Sequence, residues 1–328
     1  MHEPLLRVRG LRKLFPVGRR ALGRSPDQFV HAVDDVSFDL AAGEALALVG
    51  ESGCGKSTLA LTLLGLETAT AGSIHFEGND LAAAPASVWK AARRHIQMIF
   101  QDPYESLNPL MTVGEIVAEP LHVHKLAPNA AERRRRSVAA LEDAGLKPAE
   151  HFLARFPHEL SGGQRQRVAI ATALVLEPRL LVADEPVSML DVSIRAEILN
   201  LLADLKMRRS IAVLFITHDL GTVSAVADRI AVMYLGRIVE TGAILEVMTT
   251  PRHPYTQALL SVVPAPNPRL RRQHIILQGE TPDPVKLPTG CRFHPRCPMA
   301  VEKCRQVDPA LQTVGGTQAA ACIRVGEA

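Results

Sequence analysis

The sequence predicts an α/β fold with an inserted helical subdomain and a small cysteine-rich C-terminal extension. Three observations carry this. An apolar run ends in a Gly-rich turn that opens a helix. Helix-sized and strand-sized patterns alternate from residue 163 onward. Four of the five cysteines crowd the last 38 residues of the chain.

Taken in order, residues 5–11 and 30–40 carry roughly alternating apolar positions, and 44–49 is a short buried run, so all three read as strands. Between the first two, residues 16–28 hold two glycines, two prolines and several arginines, the composition of an exposed loop. A helical pattern covers 56–64. From about 103 to 160, helical patterns such as 130–144 replace strand signals, which marks the inserted subdomain. The core resumes with helix 163–176, strand 180–184, helix 192–206, strand 211–217 and helix 220–227. Strands 230–234 and 237–241 follow around Gly236. Prolines 264, 266, 268, 282, 284 and 288 then read as a linker, dividing the chain into 1–262 and a C-terminal extension 263–328. No internal repeat is visible.

With 47% apolar residues over 328 positions, the chain has material for a sizeable core. A net charge of +3 is too small to argue for nucleic acid as the main partner, and the run Arg133 to Arg136 reads as a solvated helix face. Residues 1–10 lack the apolar stretch of a signal peptide, and apolar runs such as 211–216 are far short of a membrane span. The expectation is a cytoplasmic protein whose membrane contact comes through a partner.

Gly50-Glu51-Ser52-Gly53-Cys54-Gly55-Lys56-Ser57 fits G-x-x-x-x-G-K-[ST], with a strand before it and a helix after it. Its glycines let successive N–H groups turn toward phosphate oxygens, and the helix end adds positive potential. Lys56 is expected on the β- and γ-phosphates, Ser57 on Mg²⁺, and Thr58 beside them in the first helical turn. Cys54 reads as a space-filler. A second anion site is available at Ser161-Gly162-Gly163-Gln164, which opens a helix; by itself this is equally an N-cap. Leu180 to Glu185 is an apolar strand ending in two carboxylates. Asp184 is placed to hold Mg²⁺ and Glu185 to polarise an attacking water.

These motifs, with Leu160 to Gln164 as LSGGQ, resemble the ATP-binding cassette family over residues 5 to 260. The resemblance implies a phosphate-loop cassette: a RecA-like mixed sheet, an antiparallel β subdomain and the helical insert. It implies that Ser161, Gly162 and Gly163 contact the γ-phosphate held by another subunit's Gly50 to Ser57 loop, so that two chains sandwich two ATP molecules head to tail. It assigns Glu185 as catalytic base, His218 to the γ-phosphate and the water, and Gln101 to Mg²⁺ or the water. Asp191 belongs to the loop that crosses to the partner, and Phe15 to the adenine stack, although a core Phe is the structural alternative. Met189 stands where the family commonly has Ala, and Thr172 where it usually has Arg.

Gln101 to Pro109, Glu185 to Ser188, Ala231 to Arg237 and His253 to Thr256 resemble the oligopeptide/dipeptide permease subgroup, and Met111 to Pro120 its F-type subunit. The resemblance implies a heterodimer with a homologous D-type ATPase, two membrane-spanning permeases and an external solute-binding protein. It places the chain peripherally on the cytoplasmic face of the membrane. Nickel, glutathione and sugars are alternative cargoes of the subgroup, and a soluble non-transport ATPase is the alternative role. Cys291, Cys297, Cys304 and Cys322 are spaced C-x5-C-x6-C-x17-C, with no C-x-x-C pair. On ligand chemistry the four suit iron–sulfur or zinc equally, and four unligated thiols are the alternative. The subgroup tail implies a [4Fe–4S] cluster, although Ile323 stands where it usually has His.

Overall fold

The structure is a computed structural model and describes residues 3–18, 28–263 and 274–325. Most of the loop expected at 16–28, and the prolines at 264, 266 and 268, lie outside the described residues. Two compact units are present: 1–40, 46–83 and 217–328 in one, 41–45 and 84–216 in the other.

The first unit begins with β1 (Leu6–Pro16), β2 (Phe29–Leu40), β3 (Ala45–Val49), α1 (Lys56–Leu63), β4 (Ala71–Phe76) and β5 (Asn79–Asp80). β1 pairs antiparallel with β2, from Leu6 opposite Leu40 to Pro16 opposite Phe29, with bulges that re-aim the strand. On its other edge β1 pairs with β4, and β4 with β5. Leu6 and Val8 are buried on the strand period of two, and Leu11 is buried out of that phase, past a register shift between Val8 and Leu11. β1 runs five residues past the expected end at Leu11, because Phe15 and Pro16 still find partners on β2.

The second unit holds α2 (Ala86–Arg93), β6 (Ile96–Ile99), α3 (Pro103–Ser106), α4 (Val113–Val123), α5 (Ala130–Asp143), α6 (Glu150–Leu153), α7 (Gly162–Leu174), β7 (Leu180–Asp184), α8 (Val192–Arg209) and β8 (Ala212–Thr217). β6, β7 and β8 are parallel in that order, and every residue of β7 and β8 is buried. The helical segment follows capping rules. Thr112 and Glu115 form a capping box on α4, and Asn129 caps α5. Val113, Ile116, Val117 and Leu121 form the buried stripe of α4, which packs on α5 and α7. In the arginine run, Arg135 pairs with Glu132 at 2.7 Å, while Arg136 donates to the Val175 carbonyl at the end of α7.

The chain returns to the first unit with α9 (Leu220–Val223), β9 (Arg229–Tyr234), β10 (Arg237–Ala243), α10 (Ile244–Thr249), α11 (Pro254–Ser261), β11 (Gln312–Gly315) and β12 (Gln318–Ala320). β3 is fully buried and runs parallel to β9. Leu235 and Gly236, at φ +42° and +80°, make the two-residue turn between β9 and β10. β12 pairs with the free edge of β10, with Ala320 opposite Glu240. The helix expected over 220–227 ends at Val223.

Candidate functional site

In the phosphate loop, two glycines are dictated by space. A Cβ on Gly50 would lie 2.2 Å from the Met233 carbonyl oxygen, and one on Gly55 (φ +108°) 1.9 Å from that of Ala32. No side chain caps α1, and its first turn carries no acid, so backbone N–H groups alone line the positive helix end. Lys56 is buried; its Nζ donates to the carbonyls of Gly50 (2.8 Å) and Glu51 (2.9 Å). Cys54 is buried beneath it, and burial raises its thiol pKa, as suits a space-filling residue. Ser52, Gly53 and Ser57 are exposed, Thr58 half-buried. Phe15 is half-buried on β1 rather than in the core, with Lys13 Nζ 4.5 Å from its ring centroid. His218 is exposed on a turn pinned by Asp219, whose N–H donates to Thr217 Oγ1 and whose Oδ1 accepts from the Gly221 N–H.

The C-terminal extension reaches this loop, which sequence reasoning missed. Arg296 donates from Nη1 to Glu51 Oε2 at 2.7 Å and from Nη2 to Oε1 at 3.1 Å. Thr281 Oγ1 donates to Glu51 Oε2 at 3.0 Å, and Tyr255 Oη accepts from the Glu51 N–H at 2.9 Å. These partners stand 204 to 245 positions away, so no local signal betrays them. The extension is itself anchored on β2. His31 N–H donates to the Pro284 carbonyl, and Asp34 pairs with Arg292. Burial alone would raise the Asp34 carboxyl, but Arg292, Arg237 and Arg12 hold it below the usual value.

In the second unit, β7 delivers Asp184, buried, and Glu185, whose φ of +46° is rare for a residue with a side chain. The Glu185 N–H donates to the Ile216 carbonyl at 2.9 Å, and its own carbonyl accepts from Ser188 Oγ at 3.0 Å. Gln101, just beyond β6, donates from Nε2 to Glu185 Oε2 at 3.1 Å. Two residues singled out separately in the sequence therefore meet.

Ser161 and Gln164 form a reciprocal capping box at the start of α7. Gly163 sits against α8, where a Cβ would come 2.6 Å from Ile194 Cγ2, whereas Gly162 has room for one. Asp191 is exposed at the head of α8, Met189 is exposed, and Thr172 Oγ1 bonds back to the Val168 carbonyl.

The four cysteines expected to hold a metal come together without forming a metal-ligand arrangement. Cys291, Cys297, Cys304 and Cys322 do line one cavity, but it measures only about 20 Å³, on the order of one water-sized probe. Among the described residues, no three His, Cys, Asp or Glu side chains are arranged to hold a metal ion. Burial pushes the Cys291 thiol up to about 11 and raises Cys297.

Comparison with known proteins agrees with the fold. Residues 33–188 match the family model described as ABC transporter, and 239–304 that of the oligopeptide/dipeptide transporter C-terminal region. The dipeptide transport ATP-binding protein DppF of Escherichia coli (strain K12) is 46% identical over 327 residues, 100% of this chain and 96% of that protein. A probable peptide ABC transporter ATP-binding protein, y4tS of Sinorhizobium fredii (strain NBRC 101917 / NGR234), is 47% identical over 324 residues, 98% of this chain and 90% of the relative. The ATP-binding cassette MJ0796, solved as a dimer in a post-hydrolysis state with ADP and Pi, superposes with a TM-score of 0.65. It is 29% identical and covers 73% of this chain and 98% of its own. The expected cassette fold is therefore present, and the chain belongs to the ABC transporter family as an ATPase carrying the C-terminal region of its oligopeptide/dipeptide transporter group.

Proposed function

We propose that this chain powers an importer of di- or oligopeptides by hydrolysing ATP at a head-to-tail interface between two cassettes. The observation that carries the reading is the Gln101–Glu185 hydrogen bond beside Asp184 at the end of β7, an acid–amide pair suited to orienting one water. Glu185 takes a proton from that water as its oxygen bonds to the γ-phosphorus and ADP leaves. Lys56 and the loop N–H groups hold the phosphates. His218 contacts the γ-phosphate, and Phe15 stacks on adenine. Ser57, Asp184 and Gln101 supply oxygen donors of the type Mg²⁺ takes, and the bound ion neutralises phosphate charge. The turn from Ser161 to Gln164 caps the nucleotide of the partner cassette.

The partners in this reading are a homologous D-type ATPase, two permeases and an external solute-binding protein, with the chain on the cytoplasmic face of the membrane. The full-length similarity to dipeptide and peptide transport ATP-binding proteins supports it. No helix among the described residues is long and apolar enough to cross a membrane. Cys291, Cys297, Cys304 and Cys322 line one cavity and are donors of the type a [4Fe–4S] cluster or Zn²⁺ takes, which they would hold as thiolates. Iron and acid-labile sulfide in anaerobically purified protein check this; their absence removes the cluster.

The test of the main reading is co-purification with the membrane partners, reconstitution into vesicles and uptake of a labelled dipeptide. The expected result is ATP-dependent accumulation that stops in Glu185→Gln. Stimulation of ATP hydrolysis by a nickel-, glutathione- or sugar-loaded receptor, and not by peptide, would replace the cargo.

A further inference from the structure

Glu51 is the second residue of the phosphate loop, and three groups from the C-terminal part of the chain hold it. Arg296 forks onto its carboxylate, Thr281 adds a hydroxyl to Oε2, and Tyr255 accepts its backbone N–H. The Arg296 and Glu51 side chains are only 9% and 28% exposed, so this bidentate pair is shielded far better than an ordinary surface ion pair. The holders are themselves held. Arg296 Cζ lies 6.0 Å from the Tyr234 ring centroid, and Tyr234, Tyr255 and Phe293 form one aromatic cluster with centroids 4.7 to 5.3 Å apart. The start of α11, which carries Tyr255, is fixed by the buried Glu240 carboxylate, an acceptor for the N–H groups of Arg252 (2.7 Å) and His253 (2.9 Å). On the other side of Glu51, its carbonyl receives Lys56 Nζ.

We infer that Arg296, acting with Thr281 and Tyr255 through Glu51, is a positioning residue for the nucleotide, so that the C-terminal extension sets the affinity of the phosphate loop for ATP. The inference rests on the reading that residues 50–57 bind the phosphates. Two effects run in the same direction. A loop held in its working curl loses less conformational freedom when the phosphates arrive. Arg296 also neutralises a carboxylate that would otherwise stand in the polyphosphate's own loop and repel it. Attachment of the tail alone requires neither effect.

The test is titration of the full-length protein with a fluorescent ATP analogue, together with steady-state KM and kcat. Arg296→Ala is expected to raise Kd and KM about tenfold, with kcat at saturating ATP within about twofold. Arg296→Lys restores the charge without the fork and falls between. Adding Glu51→Gln to Arg296→Ala removes the uncompensated charge and recovers much of the lost affinity, a non-additivity that a simple anchor does not produce. A folded Arg296→Ala protein with unchanged Kd, or a double variant binding no better than the single, overturns the inference. If Arg296→Ala does not fold, Thr281→Val and Tyr255→Phe each remove one hydroxyl; about a threefold rise in Kd is expected for each, and no change in both overturns it. Lys56→Ala separates the two levels. Binding that survives it defeats the phosphate-loop reading and this inference together; binding lost in Lys56→Ala but untouched in Arg296→Ala defeats this inference alone.

Discussion

Gln101 Nε2 and Glu185 Oε2 lie 3.1 Å apart, joining the residue beyond β6 to the residue beyond β7. Glu185 is held there in a left-handed backbone conformation, φ +46°, by its bonds to Ile216 and Ser188. Backbone strain of this kind persists where surrounding structure enforces it. If Glu185 activates the water, Glu185→Gln lowers kcat by about 10² to 10⁴ while ATP still binds, and ATP-bound dimers accumulate. Single-turnover hydrolysis and light scattering read both effects. Gln101→Ala removes only the orienting amide, and a smaller loss in kcat, about tenfold, is expected. Turnover near wild type in Glu185→Gln takes the residue out of its role.

The loop glycines divide into those fixed by space and one fixed by backbone angle alone. A Cβ on Gly50 or Gly55 meets a carbonyl oxygen at 2.2 or 1.9 Å, whereas Gly53, at φ +79°, has nothing within 4 Å. Gly53→Ala is expected to cost about 1–2 kcal/mol of stability, the left-handed penalty of a residue with a side chain. Gly50→Ala and Gly55→Ala must shift the loop or its neighbours and should lose more stability and most ATP binding. Urea unfolding beside nucleotide titration ranks the three. Equal losses would show that contact with β9 and β2 does not shape the cradle.

The start of α7 offers a similar contrast with a functional edge. Gly163→Ala drives a methyl into Ile194 at 2.6 Å, so it should disturb the packing of α7 on α8 and lower the melting temperature. Gly162→Ala finds only contacts of 3.8 and 3.9 Å and should leave the melting temperature within a few degrees. If this turn caps a partner's nucleotide, Gly162→Ala still loses ATP-dependent dimerisation and hydrolysis. Full activity in a normally folded Gly162→Ala protein would reduce the turn to a helix cap.

What was legible in the sequence is what sits on contiguous residues. The run from β3 through the loop to α1 and the strand ending at Asp184 each carry their signal within a few positions, and the structure places them as expected. β4, β5 and α2 went unread. β5 is two residues long, α2 buries no residue, and β4 exists because β1 offers it an edge. The charged end of α8 hid three further helical residues, where Arg208 and Arg209 suit the negative end of the helix dipole. The cysteine spacing suggested four ligands to one metal, but spacing cannot say where sulfur atoms point, and the four line one small cavity without a metal-ligand arrangement. The bracing of Glu51 was invisible for the same reason as β12 on β10: both are made by chain segments far apart in sequence.

His253 makes the first unit acid-sensitive in a defined window. Its ring is buried, and burial pushes its pKa from 6.5 down to about 3, against a weaker upward pull from the Ala321 backbone. Nδ1 accepts from the Tyr255 N–H at 3.1 Å, and the neighbouring Glu240 carboxylate is already committed to the N–H groups of Arg252 and His253 and to Gln318. The folded value lies below the unfolded one, so the unfolded chain takes up the proton first. The stabilising contribution is therefore complete above about pH 6.5 and is lost on acidification toward about pH 3, at about 1.4 kcal/mol per pH unit. Urea unfolding of the wild type should weaken between about pH 7 and pH 5, while His253→Gln, less stable at neutral pH, should show a slope smaller by about one proton. Because His253 opens the helix that carries Tyr255, loosened binding of ATP should accompany the acid loss in the wild type. A His253→Gln protein with the same pH slope as wild type would assign the titration to another group.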